Sequence, residues 1–98
     1  MNREERLYLV AYDIGDARRW RQIFKLMHGY GEWVQLSVFQ CRLSRQRHAE
    51  MVMLLDGMIV QGEDHLITID IGPADLVKPR LTSLGKTFAP VIKEPVIV

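Results

Sequence analysis

The chain has 98 residues, a hydrophobic fraction of 48% and a formal net charge of +1, so we expect one small domain, residues 1–98, with a limited core. Its single cysteine, Cys41, excludes an internal disulfide and favours a reducing, cytoplasmic setting. We find neither an export signal nor an apolar run long enough to span a bilayer, so we expect no membrane partner.

The first predicted element is a strand over residues 7–12, a continuous apolar and aromatic run that is too short for a helix. Asp13 ends this strand. A carboxylate at the mouth of a buried strand suits a divalent cation or a general base. The alternative is that Asp13 or Asp16 caps the next helix. Asp16 immediately precedes the helical pattern, so it is the better cap and Asp13 is left without an obvious structural duty.

An amphipathic helix is predicted after Asp16. Its apolar side chains recur at helical spacing and face a core: Trp20, Ile23, Phe24 and Met27. Gly31 provides a stop for this helix.

The same helix carries a basic face. Arg18, Arg21 and Lys25 project away from the apolar stripe, whereas Arg19 lies on its flank and can lean toward Asp13. Solvation is the ordinary explanation for a charged helix face. Arginine also suits phosphate, because its planar guanidinium group donates two parallel hydrogen bonds.

Residues 33–41 alternate with the period of a strand. One predicted face holds Val34, Leu36 and Val38, and the other holds Trp33, Gln35, Ser37, Phe39 and Cys41. The mixed aromatic and polar face favours a subunit contact, although it also suits the lining of a site. Whether the stretch to Leu43 is one bent strand or a tight hairpin stays open, because no Asn-Gly turn signal interrupts it.

A second helix is predicted after Ser44, which we expect to cap it. We expect Val52 and Leu55 on its buried side, and Arg45, Gln46 and Glu50 in solvent. The methionines at 51, 53 and 58 are interpreted as core filler.

Residues 65–71 alternate again and place Ile67, Ile69 and Ile71 on one face of a strand that Pro73 ends. The order of elements predicts an α+β sandwich with two helices on one face of a sheet. Residues 88–98 are β-rich but interrupted by two prolines, which predicts an edge strand or an arm. The three histidines lack the spacing of a zinc site.

Charge is divided unevenly along the chain. Residues 1–48 hold 9 Lys and Arg against 5 Asp and Glu, a balance of +4, whereas residues 49–98 hold 4 against 7, a balance of −3. Eight of the nine arginines lie in the first part. This asymmetry favours an anionic partner such as nucleic acid.

Four short motifs follow one another along the first third of the chain: Tyr12-Asp13-Ile14, Arg18-Arg19, Tyr30-Gly31 and Val34-Gln35-Leu36-Ser37-Val38-Phe39. In kind, order and spacing they resemble the Cas-two family, the small CRISPR-associated proteins that partner the spacer-acquisition integrase. That family commonly has arginine where this chain has Trp33, and glutamate where it has Gln40. The missing cation at Trp33 weakens a phosphate contact there and leaves Arg19 and Arg21 as better candidates.

The resemblance implies a ferredoxin-like fold, a βαββαβ-type antiparallel sheet with two helices on one face. It also implies an isologous homodimer in which residues 88–98 form a C-terminal β arm that crosses to the partner's sheet. The implied partners are a second copy of the chain, the integrase subunit and nucleic acid.

For activity, the resemblance implies a metal-dependent endonuclease in which Asp13 is both the catalytic carboxylate and the ligand of Mg²⁺, or of Mn²⁺ in its place. Arg18, Arg19 and Arg21 would contact the nucleic acid. The implied supporting residues are Tyr12, Ser37 and Phe39. The residues leave RNA and DNA open as substrates, since phosphate contacts do not distinguish them. The alternative is an architectural DNA-binding dimer that bridges integrase subunits without cleaving anything.

Overall fold

The computed structural model of the protein describes residues 4–85. Its elements follow in the order β1 (Glu5–Asp13), α1 (Ala17–Met27), β2 (Glu32–Gln35), β3 (Val38–Ser44), α2 (Arg45–Asp56) and β4 (His65–Pro73). The four strands form one antiparallel sheet in the order β2-β3-β1-β4. The α+β class and the ferredoxin-like arrangement are therefore confirmed. The predicted arm, residues 88–98, lies outside the described residues and stays a prediction.

The core lies between one face of this sheet and both helices. Because successive side chains of a strand point to opposite faces, Tyr8, Val10 and Tyr12 of β1 all turn toward the helices. The remaining core side chains come from β3, α1 and α2: Phe39, Cys41, Leu43, Ile23, Phe24, Met27, Met51 and Leu55. In the described part of the chain, no helix is long and apolar enough to cross a membrane.

Both predicted helix caps are confirmed. The side chain of Asp16 accepts a hydrogen bond of 2.8 Å from the backbone N–H of Arg19, and that of Ser44 accepts one of 3.1 Å from the N–H of Arg47. Each cap satisfies a backbone donor that has no partner within its helix. Asp16, and not Asp13, therefore starts α1.

Residues 33–43 form a tight hairpin and not one bent strand, with Leu36 and Ser37 between β2 and β3. The predicted apolar face is wrong at Leu36, which turns outward, is 74% exposed and has a φ of 42°. The predicted mixed face is also wrong, since Phe39 and Cys41 are fully buried in the core. The turn changes the alternation between the two strands, so side chains on either side of it no longer follow one pattern.

On α2 the predicted buried position of Val52 is wrong, and so is that of Met53, which is 70% exposed. Leu55 and Met51 are buried, as predicted. Residues four apart lie on one face of a helix, whereas Val52 is rotated by about 100° from Met51 and leaves the core face. Met58 is half-buried against the core.

The three isoleucines of β4 share one face of the sheet, as predicted, but this is the face away from the helices. Ile67 pairs with Ala11 and Ile69 with Leu9, so the apolar surface continues onto β1. Ile67, Ile69 and Ile71 are exposed. In residues 4–85, β4 is also an edge of the sheet.

Gly31 joins α1 to β2 at a point where the chain passes close to β3. A Cβ atom at this position would lie 2.5 Å from both the Cys41 Sγ and the Gln40 carbonyl oxygen. We expect Gly31→Ala to lower the free energy of unfolding by about 1–3 kcal/mol, because the backbone must shift to relieve the overlap. Urea denaturation would measure this change.

Gly57 is the matched control for this substitution. Its nearest atom to an added Cβ is the Leu54 carbonyl oxygen at 3.6 Å, an ordinary contact. Gly57→Ala should leave stability unchanged or raise it by about 0.4–1 kcal/mol, because alanine restricts the unfolded chain. Equal destabilisation by both substitutions would contradict a specific steric role for Gly31.

Candidate active site at the Asp13 end of the sheet

Asp13 is the last residue of β1 and pairs with His65, the first residue of β4. It is exposed, while the strand that carries it lies between two neighbours in the middle of the sheet. A central strand is among the most rigid parts of a small domain, because it is paired on both edges. Asp13 thus exposes its carboxylate to solvent at the end of a rigid strand, as the sequence predicted.

The tip of the hairpin is attached beside Asp13. The backbone N–H of Tyr12 donates to the Ser37 carbonyl oxygen at 3.1 Å, and the Trp20 indole N–H donates to Ser37 Oγ at 2.8 Å. These two bonds join β1, the hairpin and α1 at one point. Ser37, predicted as a supporting residue, thus has a structural role next to Asp13.

Tyr12 and Phe39 support this end of the sheet from within the core. Both rings are buried and stack at a centroid distance of 6.3 Å. Within the described residues the Tyr12 hydroxyl has no hydrogen-bond partner, and burial holds its pKa well above the ordinary value of tyrosine. Tyr12 therefore remains protonated near neutral pH and acts through packing.

The loop after Asp13 is held by Asp64, which no pattern in the sequence singled out. The Asp64 side chain is fully buried, and its carboxylate accepts bonds of 2.9 Å from the Gly15 N–H and 2.8 Å from the Val60 N–H. The Arg19 guanidinium group donates two more, from Nε at 2.6 Å and from Nη2 at 3.0 Å. Arg19 also donates to Glu63 at 3.2 Å.

This ion pair changes the acidity of both partners. The hydrogen bond from Arg19 is the main cause that holds the pKa of the Asp64 carboxyl far below its usual range, aided by the bonds from Gly15 and Val60. In turn, the bond to Asp64 raises the pKa of Arg19. Both groups are charged throughout the physiological range.

In the described part of the chain, no three His, Cys, Asp or Glu side chains come together as metal ligands. Asp13 therefore does not belong to a three-ligand metal site within one chain, over the residues described. Mg²⁺ commonly uses one or two carboxylates, with water and substrate phosphates as its remaining ligands. The donor fits that use, in which a second chain or the substrate completes the coordination.

Residues 6–78 match the profile of the family described as CRISPR associated protein Cas2. The chain belongs to the Cas2 family. A protein of Geobacter sulfurreducens named CRISPR-associated endoribonuclease Cas2 is 52% identical over 94 residues, covering 96% of this chain and 99% of that protein. A protein of Rhodospirillum rubrum named CRISPR-associated endoribonuclease Cas2 1 is 49% identical over 94 residues, covering 96% of this chain and 92% of that protein.

Two crystal structures share this Cas2 fold. A hypothetical protein from Thermus thermophilus superposes with a TM-score of 0.71 at 34% identity and covers 88% of this chain and 98% of its own. Streptococcus pyogenes Cas2 superposes with a TM-score of 0.71 at 27% identity, covering 81% and 99%. The predicted family is therefore confirmed.

The three arginines predicted to contact nucleic acid in this Cas2 chain are placed differently. Arg18 and Arg21 are exposed on α1. The Arg19 side chain is only 17% exposed and pairs with Asp64 and Glu63. The Nε and Nη2 donors of Arg19 are bonded to these carboxylates, so Arg18 and Arg21 are the more accessible pair.

Trp33 stabilises the hairpin. Its indole N–H donates to the Leu36 carbonyl oxygen at 3.0 Å, and its ring meets Phe24 edge-on at 6.1 Å. The Trp33 bond holds the turn in which Leu36 has a positive φ. The Trp33 side chain thus stabilises the hairpin loop beside Asp13.

The buried Asp64 carboxylate should make stability sensitive to acid. Because its folded pKa is depressed, its stabilising contribution is complete above the ordinary pKa of about 3.9 and is lost as pH falls below that value toward the folded pKa. We therefore expect the free energy of unfolding to fall below pH 4 more steeply in the wild type than in Asp64→Asn. Urea denaturation between pH 2 and pH 7 would measure both slopes, and equal slopes would contradict this assignment.

Proposed function

We propose that this chain is a metal-dependent endonuclease that acts as a homodimer, with Asp13 holding Mg²⁺ or Mn²⁺, and that it supports spacer integration with the CRISPR integrase. The observation that carries the proposal is the exposed Asp13 carboxylate at the end of a central strand. Two relatives that are 52% and 49% identical over nearly the whole chain are named endoribonucleases, which supports nuclease chemistry.

The uncovered face of the sheet supports the dimer. Ile67, Ile69 and Ile71 are exposed on the face away from both helices, and a contiguous apolar surface of this kind favours a partner. In residues 4–85, the β4 edge carries no neighbouring strand, and an open edge is a natural place for strand pairing between chains. A two-fold dimer would use the same surface on both copies.

The two Asp13 side chains of such a dimer would explain the need for a cation. If their carboxylates lie about 5 Å apart, they repel by about 3 kcal/mol at an effective dielectric constant near 20. A cation between them removes this repulsion. When bound, Mg²⁺ would lower the pKa of a water ligand and neutralise charge on the phosphodiester.

The residues of the chain divide the remaining work. Asp13 fixes the position of the cation from the end of β1. Arg18 and Arg21 donate to phosphate oxygens and hold the nucleic acid across α1, without reading its bases. Tyr12 and Ser37 hold the end of the strand in place. RNA and DNA both fit these contacts, because each contact is to the backbone.

A second candidate function is the architectural one, in which the dimer bridges integrase subunits and only supports the DNA. The finding that favours it is that Asp13 belongs to no group of three possible metal ligands in the described residues. The two functions differ in one measurable respect, the dependence of cleavage on Asp13.

Asp13→Asn is the test of the endonuclease. We expect the wild type to cleave single-stranded RNA or duplex DNA only with Mg²⁺ or Mn²⁺, and Asp13→Asn to abolish this cleavage because the amide no longer attracts the cation. Mg²⁺ should also raise the melting temperature of the wild type and not of the variant. Sedimentation should find both proteins dimeric.

Asp56→Asn is the control, since Asp56 is an exposed aspartate at the end of α2. It should retain the cleavage and the Mg²⁺ response of the wild type. Cleavage that survives in Asp13→Asn would identify a contaminant or another site and would favour the architectural function. A monomeric wild type would exclude the shared site.

The exposed arginines give a separate prediction about binding. If Arg18 and Arg21 contact phosphates of a duplex, Arg18→Ala with Arg21→Ala should reduce the slope of log affinity against log salt by about 0.9 for each lost contact. Fluorescence anisotropy without divalent metal would measure the slope. Arg42→Ala is the control, because Arg42 is an exposed arginine already paired with Glu5 and Asp75. Equal slopes in the double variant and the wild type would reject this contact.

A further inference from the structure

We infer that Asp64 is a positioning residue for the Asp13 site, which fixes the loop after Asp13 and also keeps Arg19 away from phosphate. The first part of this inference rests on the proposed function, because it concerns the geometry of the Asp13 carboxylate. The second part concerns nucleic-acid binding alone. Both parts follow from the four hydrogen bonds that the Asp64 carboxylate accepts.

These four bonds come from three different segments of the chain. Gly15 lies in the loop after Asp13, Arg19 in the first turns of α1, and Val60 in the loop that follows α2. A fully buried carboxylate that accepts several donors is held in one orientation, because losing any bond leaves a buried charge unsatisfied. Asp64 therefore fixes the three segments relative to one another.

The bond to Gly15 transmits this order to Asp13, which lies two residues earlier. A Cβ atom at Gly15 would lie 3.2 Å from the Glu63 carbonyl oxygen, so the two loops are also in close steric contact. On its other side, Asp13 pairs with His65, the residue after Asp64. The segment that contains Asp64 thus holds the chain at Asp13, through His65, and two residues later, through Gly15.

Arg19 completes the same arrangement. Its backbone N–H donates to the cap at Asp16, while its guanidinium group reaches across the loop to Asp64 and Glu63. Arg19 thus connects the N-cap of α1 with the segment that contains Glu63 and Asp64. The Arg19 guanidinium group is therefore already paired with carboxylates. In the sequence, Arg19 lies between Arg18 and Arg21, the two exposed candidates for phosphate binding.

The chain offers a control in a second arginine–aspartate pair, whose aspartate side chain is 45% exposed while that of Asp64 is fully buried. The Arg6 Nε donates to both carboxylate oxygens of Asp70, at 3.0 and 2.8 Å. Arg6 lies seven residues before Asp13 on β1, which places it about 23 Å away along the strand. Breaking this pair removes an arginine–aspartate contact between strands without altering the loop after Asp13.

The experiment compares Asp64→Asn with Asp70→Asn in the full-length protein. Duplex binding is measured by anisotropy at several salt concentrations without divalent metal, and kcat and KM are measured with Mg²⁺. For Asp64→Asn we expect the salt slope to become steeper by about 0.9, because the released Arg19 gains a phosphate contact. We also expect kcat to fall by about 100-fold, the effect of displacing a reacting group by about 1 Å. Asp70→Asn should retain the wild-type slope and kcat.

A purely structural role would not produce a steeper salt slope together with a lower kcat, since general destabilisation weakens both nucleic-acid binding and cleavage. A double variant, Asp64→Asn with Arg19→Ala, should restore the wild-type slope while kcat stays low. Asp64→Glu is the second variant. It keeps the charge that pairs with Arg19 but moves the carboxylate by one methylene, so kcat should fall with an unchanged slope.

Exchange of the Gly15 amide hydrogen gives a readout that needs no activity. It should be faster in Asp64→Asn than in the wild type and Asp70→Asn, because a neutral amide oxygen is a weaker acceptor for the Gly15 N–H than a carboxylate. Equal loss of kcat in Asp64→Asn and Asp70→Asn, or an unchanged Gly15 exchange rate, would overturn the positioning role. An unchanged salt slope in Asp64→Asn would overturn the inference that Asp64 keeps Arg19 away from phosphate. If the wild type itself does not cleave, the proposed function fails, and amide exchange and the salt slope still decide the role of Asp64.

Discussion

The pairing of β1 on both of its edges is the constraint on which the rest of this structure depends. Because β3 and β4 bind opposite edges of β1, the strand cannot change register without moving its tyrosines out of the core. Its last residue, Asp13, is therefore carried to one fixed point. Ser37 of the hairpin binds both Tyr12 of β1 and Trp20 of α1 beside Asp13. These bonds hold the hairpin, β1 and α1 together at this end of the sheet.

The parts of the fold that could be predicted from the sequence are those with a local cause. The strand over residues 7–12 and the caps at Asp16 and Ser44 follow from side chains within a few residues of each element. The hairpin lacked such a cause, because its turn contains no glycine or asparagine and is held by the indole of Trp33. The apolar residues of α2 lie on several sides of the helix, so the sequence identified Met51 and Leu55 as buried but also assigned Val52 and Met53 to the core.

The candidate site shows the same division. Asp13 could be identified because it ends a buried run, and the family resemblance added its role. Asp64 could not, because an aspartate before a strand has no distinguishing local pattern. Its importance comes from meeting Gly15 and Arg19 across 49 and 45 residues of chain, a contact that only the antiparallel pairing of β1 with β4 creates.

That pairing also explains why the uneven charge along the chain is a poor guide to the charged surface. Acidic residues of the second half form ion pairs with arginines of the first half, as in the pairs Arg19 with Asp64, Arg6 with Asp70 and Arg42 with Asp75. Paired arginines contribute little to long-range attraction of an anion. Within the described residues, attraction therefore depends on the few arginines that remain accessible, and Arg18 and Arg21 are the two nearest to Asp13 along the chain.

Cys41 gives the molecule a natural chemical reporter. Its thiol is fully buried on β3, and burial raises its pKa to about 12, so the native protein holds it as an unreactive thiol and not as a thiolate. It is the only sulfhydryl group in the chain. Alkylation at this position therefore proceeds only from molecules in which β3 has separated from the helices, and its rate measures how often the domain opens under native conditions.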